Sequence, residues 1–218
     1  VYAGNSQYPN DVFFSEEYLP DAFDNTTSAT ILNIDGQGAI TGLATGFYDQ
    51  DNLNPYLVIF KKTSTTIYSE LREYPVQLTL DSFVGCVSHE TIKTRNGVIY
   101  FMSQNGWYAI KNGGFLKDSN GMPKSLGDGA IDDVFSRSGW TNELNSAQYE
   151  NFFSIYYPTL KHYMTFIAEG ANNRFSKAYT FEEDINGFRI ATFKVPFNNE
   201  YQIDIDGIEN YHYVDLPN

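Results

Sequence analysis

The chain has 218 residues, 42% hydrophobic and 17% aromatic, enough to bury a sizeable core as one all-β unit or two smaller ones. Its net charge is −13, and its 14 basic residues are scattered, which speaks against a surface that grips nucleic-acid phosphates. One cysteine excludes an internal disulfide framework, and no apolar run reaches the roughly 18 residues of a membrane-crossing helix.

In chain order, Asp11 to Glu17 reads as a strand. Tyr18-Leu19-Pro20-Asp21-Ala22-Phe23 reads as a turn or a single helical turn broken by Pro20. Ala29 to Asn33 returns to strand, and Asp35-Gly36-Gln37-Gly38 turns the chain. A four-strand unit follows, about Ile40–Tyr48, Tyr56–Lys61, Thr65–Leu71 and Val76–Leu80. A second begins with a strand over Cys86–Lys93 and the hairpin signal Arg95-Asn96-Gly97. Val98–Met102 and Trp107–Lys111 are its central hairpin, and Asn112-Gly113-Gly114 leads to a weaker strand near Phe115.

Ser119 to Trp140 is rich in glycine and reads as a loop, then a short helix over Ile131–Phe135 capped by Ser125 or Asp128. Strands resume at Phe152–Tyr157, His162–Ile167, Phe175–Phe181 and Phe188–Val195. Pro158 to Lys161 and Asp184 to Gly187 are turns, and the tail from Tyr201 is polar and acidic. Three regions result: strand-rich blades over 1–118, a loop with a short helix over 119–140, and further blades with an acidic tail over 141–218.

One segment occurs twice. Val58-Ile59-Phe60 with Ile67-Tyr68 matches Val98-Ile99-Tyr100 with Trp107-Tyr108 at an offset of 40 residues. The intervening turns are Thr63-Ser64-Thr65 and Ser103-Gln104-Asn105-Gly106. A strand–turn–strand unit of that period is a propeller-blade period. Stacked blades bury both faces of each sheet, which accounts for runs such as Val58-Ile59-Phe60 that do not alternate. The expected fold is therefore all-β, with antiparallel β-propeller-like blades. Roughly three complete units are legible, so the ring is small, open, or completed by residues outside this chain. A compact β-sandwich is the structural alternative.

The candidates for chemistry are weak. His89, His162 and His212 show no zinc spacing and read as surface or turn residues. No nucleophile elbow is present. Glu16-Glu17, Asp132-Asp133 and Glu182-Glu183-Asp184 are adjacent acids, whose side chains point to opposite faces of a strand. A glycosidase instead needs two carboxyls opposed across a cleft. Asp204 to Glu209 and Asp49 to Asn52 are short acidic turns without the calcium-loop pattern. Cys86 lies in the apolar run Phe83 to Val87 and reads as a buried structural thiol. Trp107, Tyr108, Trp140, Tyr156 and Tyr157 could stack on sugars, but packing is the plainer role. The sequence thus nominates no catalytic, cofactor-binding or metal-ligating residues. Starting at Val1 and lacking a signal-peptide pattern, it reads as a processed product or a piece of a longer protein.

The order of these motifs resembles a family. Phe14-Ser15 is followed by Pro20-Asp21-Ala22-Phe23, then Asp35-Gly36-Gln37-Gly38 and Ile40-Thr41-Gly42-Leu43. Leu57 to Lys61 and Ile67-Tyr68 come next. Gly85-Cys86-Val87-Ser88 then leads into the run from Gly97 to Tyr108. This is similar to the propeller-type tail proteins of tailed bacteriophages, including the tail nozzles of short-tailed phages. The resemblance covers about 11–195 and is clearest over 35–110. It implies a virion location and a structural role without catalytic residues or cofactors. It also implies other tail subunits as partners, a homo-oligomeric ring, and non-sticky contact with passing DNA. The chain is short for a nozzle subunit, and Ser119 to Trp140 departs from the pattern. The alternatives are a receptor- or carbohydrate-binding propeller with exposed Trp140 or Tyr157, and a glycan-cleaving enzyme.

Overall fold

The computed structural model describes residues 2–5, 7–16, 19–23, 31–34, 38–48, 54–69, 76–81, 83–127, 144–171, 173–183, 187–197 and 211–214. Among the described residues the fold is all-β, with four antiparallel sheets, none closed on itself. In the first sheet, β2 (Tyr8–Glu16) pairs with β1 (Tyr2–Asn5), β3 (Leu19–Phe23) and β4 (Ile31–Asn33). The second is a meander of β5 (Ile40–Phe47), β6 (Pro55–Lys61), β7 (Thr65–Ser69) and β8 (Val76–Asp81). The third repeats that order with β9 (Lys93–Arg95), β10 (Val98–Ser103), β11 (Gly106–Lys111) and β12 (Gly114–Phe115). The fourth has five strands: β13 (Phe153–Tyr157), β14 (His162–Ile167), β15 (Phe175–Glu182), β16 (Gly187–Phe197) and β17 (Tyr211–Val214).

The sheets stack face to face in chain order, with a hydrophobic layer in each gap. Leu57, Ile59 and Tyr68 of the second sheet meet Val12 and Ile34 beside the first. Tyr56, Val58, Phe60 and Ile67 point the other way, onto Ile99, Phe101, Tyr108 and Ile110 of the third. Tyr100, Met102, Trp107 and Ala109 leave the far side of the third sheet and meet Tyr163, Tyr179 and Phe181 of the fourth. Successive side chains on β6 and β10 therefore feed different layers, following the two-residue period of a strand. Between the sheets, β9 contacts β5 on one side and β13 on the other, so neighbouring meanders meet at their first strands.

Local chemistry fixes the turns. Asn96 (φ 50°) and Gly97 (φ 74°) form the two-residue connection from β9 to β10, and Asn112 (φ 51°) and Gly113 (φ 75°) that from β11 to β12. Both positive-φ residues in each are what a type I′ hairpin demands. At Gly85 the backbone passes so close to the β6–β7 tip that a Cβ would collide with backbone atoms of Lys61, Lys62 and Ser64. That approach lets the Cys86 N–H donate to the Lys61 carbonyl at 2.9 Å.

Strand pairing corrects the repeat. Val58 pairs with Ile67, whereas the equivalent pair in the third sheet is Tyr100 with Ala109. The hairpins superpose at an offset of 42 residues at both strands, not 40. The four-residue tips are Lys61 to Ser64 and Ser103 to Gly106, so Thr65 belongs to β7 and not to the turn. A two-residue shift keeps each side chain on its face, so hydrophobic pattern alone does not distinguish the two offsets.

Other expectations shift as well. Leu19–Phe23 is a strand and not a helical turn: Ser15 pairs with Phe23 and Glu16 with Leu19, and Pro20 lies inside the irregular stretch between them. The expected strand over Cys86–Lys93 is mostly irregular. A 3-10 turn occupies His89–Thr91, with the Ser88 hydroxyl accepting from Glu90 N–H at 3.3 Å, and only Lys93 onward pairs. Ser125 does not cap a helix at its own position; its hydroxyl accepts from Gly127 N–H at 3.2 Å within a turn. The helix expected over Ile131–Phe135, Asp128 and Trp140 lie outside the described residues, as do Asp35 to Gln37, Asp49 to Leu53 and Asp204 to Glu209. The acidic tail contributes one strand the sequence did not announce, β17.

Candidate functional site

The densest polar constellation among the described residues lies in the seam between the third and fourth sheets. Trp107, on β11, is fully buried, and its indole Nε1–H donates to Thr165 Oγ1 on β14 at 3.0 Å. Thr165 Oγ1 is 2.8 Å from Ser154 Oγ. Ser154 donates to the Tyr163 hydroxyl at 3.0 Å, and Tyr163 donates to the Thr91 carbonyl at 2.6 Å. The directions follow from the ends of this chain. Indole N–H only donates and a carbonyl only accepts. Ser154 spends its proton on Tyr163, so Thr165 is the donor in the middle link. Burial holds the Tyr163 phenol well above its ordinary range, keeping it protonated and a donor.

A second tie closes the same seam. The hydroxyls of Tyr100, on β10, and Tyr156, on β13, both lie 2.7 Å from Glu183 Oε1. The two rings stack at 6.0 Å, and Tyr100 stacks on Tyr163 at 5.5 Å. Burial, then the hydrogen bond and charge of Glu183, push the Tyr100 phenol upward. One carboxylate oxygen thereby joins strands of two sheets through charge-assisted bonds. Where the first strands converge, Ser88 Oγ also donates to the Glu150 carbonyl at 3.1 Å.

Cys86 sits beside this network, fully buried. Burial pushes its thiol up to about 11, partly opposed by hydrogen bonding with Thr91 and Ser88. Such a thiol is a poor nucleophile at neutral pH. Lys93, half-buried next to the convergence, is held below its ordinary range by burial, against the pull of Glu90. The hydroxyls of Ser154 and Thr165 bond one another and Tyr163, so the seam has the chemistry of a joint between sheets.

A third joint binds the first sheet to the second. Lys61 is 1% exposed, yet its Nζ donates to Asn10 Oδ1 at 2.9 Å and to the Ile34 carbonyl at 2.8 Å. The equivalent position in the third sheet is Ser103, also buried.

The residues singled out from sequence are scattered. His89 is exposed on its 3-10 turn, with Nδ1 3.4 Å from Leu43 N. His162 begins β14, its Nε2 3.6 Å from Glu182 Oε1. His212 lies on β17. Glu182 and Glu183, adjacent in sequence, diverge: one faces His162, the other the tyrosines of the seam. Trp107 and Tyr108 are core residues, and Tyr157 is 48% exposed. Among the described residues, no three of His, Cys, Asp and Glu are placed to hold a metal ion. Nor is any helix there long and apolar enough to cross a membrane. Sequence reasoning missed Lys61, Thr91, Ser154, Tyr163 and Thr165. For Lys61, Ser154, Tyr163 and Thr165 the one signal is a polar residue inside an apolar strand, as Thr165 in His162–Ile167, whereas Thr91 lies in the 3-10 turn.

No protein-family model and no curated protein sequence matches this chain.

Proposed function

We propose that this chain is a structural subunit of a bacteriophage tail, part of a tail tube or nozzle, working through protein–protein contacts and not catalysis. The observation that carries the proposal is the serial stack. Sheets follow one another in chain order, both faces of the central strands of the second and third are buried, and neighbouring meanders meet at their first strands. That is how propeller blades pack around an axis. With the motif order described above, it favours a propeller-like tail protein. The joints through Lys61, Trp107 and Glu183 suit a part that carries load between sheets. Subunits then assemble into a homo-oligomeric ring lining a channel for DNA during ejection. The charge of −13 acquires a use in this setting, because an acidic lumen repels phosphates and keeps passing DNA from sticking.

The test is electron microscopy of the purified protein, alone and incubated with tail complexes lacking the corresponding ring. Rings, or density added at the tail, support the reading. A protein that stays monomeric at all concentrations and adds nothing to tails overturns it. A ring with a neutral or basic lumen overturns the part assigned to charge.

A further inference from the structure

We infer that the β12 edge of the third sheet is a docking surface for an acidic surface on a second copy of this chain. The basic residues are scattered in sequence, yet the third meander and the hairpin after it gather five of the 14: Lys93, Arg95, Lys111, Lys117 and Lys124. Residues 93–124 hold one acid, Asp118. That stretch therefore carries a net +4, and the remainder of the chain, from the total of −13, carries −17. Charge is segregated by sheet.

Strand register brings the cations together. Arg95 of β9 and Lys111 of β11 both pair with Val98 of β10, so they share a face, two inter-strand steps or about 10 Å apart. β12 is an edge strand, and the chain beyond it folds into a hairpin. There Lys117 bridges to Pro123, and the Lys124 N–H donates to the Leu116 carbonyl at 2.7 Å. Arg95, Lys111 and Lys117 are exposed, while Lys93 and Lys124 are half-buried. The lone acid of the stretch is turned onto its own loop. Asp118 Oδ1 accepts from the N–H groups of Asn120 at 2.8 Å and Met122 at 2.9 Å. Glu90, on the 3-10 turn, attracts Lys93. Two apolar side chains complete the surface, Leu116 at 38% and Met122 at 58% exposure. A loop fixed by its own hydrogen bonds loses little freedom when a partner arrives.

The occupant follows from charge. A basic patch does not dock on itself across a two-fold axis, because like charges would meet there. It docks on a different, acidic part of the next copy, and the −17 outside the third meander supplies one. A contact between unlike patches runs head to tail, the kind that closes into a ring. The inference deepens the ring proposed above and rests on it.

The experiment is sedimentation velocity of the full chain, comparing the parent with the double variant Lys111→Glu, Lys117→Glu and with Met122→Ser. The parent is expected to associate in about 0.1 M salt and to dissociate in about 1 M, where the screening length falls from about 10 Å to about 3 Å. Reversing the two exposed lysines raises the dissociation constant about tenfold or more, and Met122→Ser raises it by a smaller factor. All three side chains are exposed, so melting temperatures should match the parent. Rings formed equally well by the parent and the double variant overturn this inference alone. A parent that stays monomeric overturns it together with the ring. Binding of the parent to a DNA duplex, lost in the double variant while self-association persists, also overturns it and assigns the patch to nucleic acid.

Discussion

Trp107 on the third sheet donates its indole proton to Thr165 on the fourth at 3.0 Å, both fully buried. Thr165→Val keeps the shape and removes the acceptor, as well as the link to Ser154. The expected cost is about 1–3 kcal/mol, the penalty of a buried donor deprived of its partner. Urea denaturation measures it. A midpoint unchanged from the parent would mean that the seam reorganises around the loss.

Lys61→Met retains an unbranched apolar stem but removes the Nζ bonds to Asn10 and the Ile34 carbonyl. We expect a loss of about 1–3 kcal/mol. Hydrogen exchange should locate it, with amides of β2 and β4 losing protection before those of β10 and β11. Uniform loss across all four sheets would contradict the assignment of Lys61 to that one joint.

Gly85→Ala places a methyl group against the backbone of the β6–β7 tip. Backbone cannot rotate aside as a side chain can, so the tip or the Cys86-to-Lys61 bond must give. A loss of about 2–3 kcal/mol is expected. Gly97→Ala serves as a control with open space around the added Cβ, so its cost reflects only positive φ.

Tyr100→Phe and Tyr156→Phe each remove one of two donors to the same oxygen of Glu183. Each should cost about 1.5–3 kcal/mol, as for a hydrogen bond to a charged group. Because the acceptor is shared, the double variant should not equal the sum, and a double-mutant cycle reads the difference. Strict additivity would show that the two bonds act independently.

Alkaline pH should destabilise the fold. Burial raises Cys86 from 9.0 to about 11 and pushes Tyr56, Tyr100, Tyr149 and Tyr163 above 10.0. A raised folded value means that the unfolded chain releases these protons first. Their stabilising contribution is full below pH 9 and declines as pH rises, first through the window of Cys86 from 9.0 to about 11. Melting temperature measured from pH 8 to 11 should fall, and Cys86→Ala should flatten the early part of that fall. Native Cys86 should also resist a thiol reagent until the protein unfolds.

Much of the strand order was legible because Gly and Asn mark the turns. Asn96-Gly97 and Asn112-Gly113 adopt the positive φ angles their chemistry allows. The register of the central hairpins was not legible. Both faces of β6 and β10 are buried, so no polar side marks the pairing, and a match at 40 residues looks as good as the true 42. Leu19–Phe23 was misread because Pro20 suggests a break, whereas pairing with β2 outweighs it. The start of the third meander was misread because Cys86 and Val87 are apolar enough for a strand, whereas Ser88 bends the chain into a 3-10 turn. The joints were invisible for a different reason. Lys61, Thr165 and Glu183 find their partners in other sheets, 27 to 83 positions away in the chain.

The double burial of the central strands has a consequence for how the chain finds its fold. In a sheet with one wet face, a slip of one residue exposes the wrong side chains and is rejected at once. In β6 or β10 the same slip only exchanges one dry neighbour for another, so hydrophobicity does not police it. Fidelity must come from the tips: the Asn-Gly connections, the close pass at Gly85, and the buried amine of Lys61, which meets both of its acceptors in the native register. A few residues at the ends of strands thus act as proofreaders for an interior that would accept several alignments.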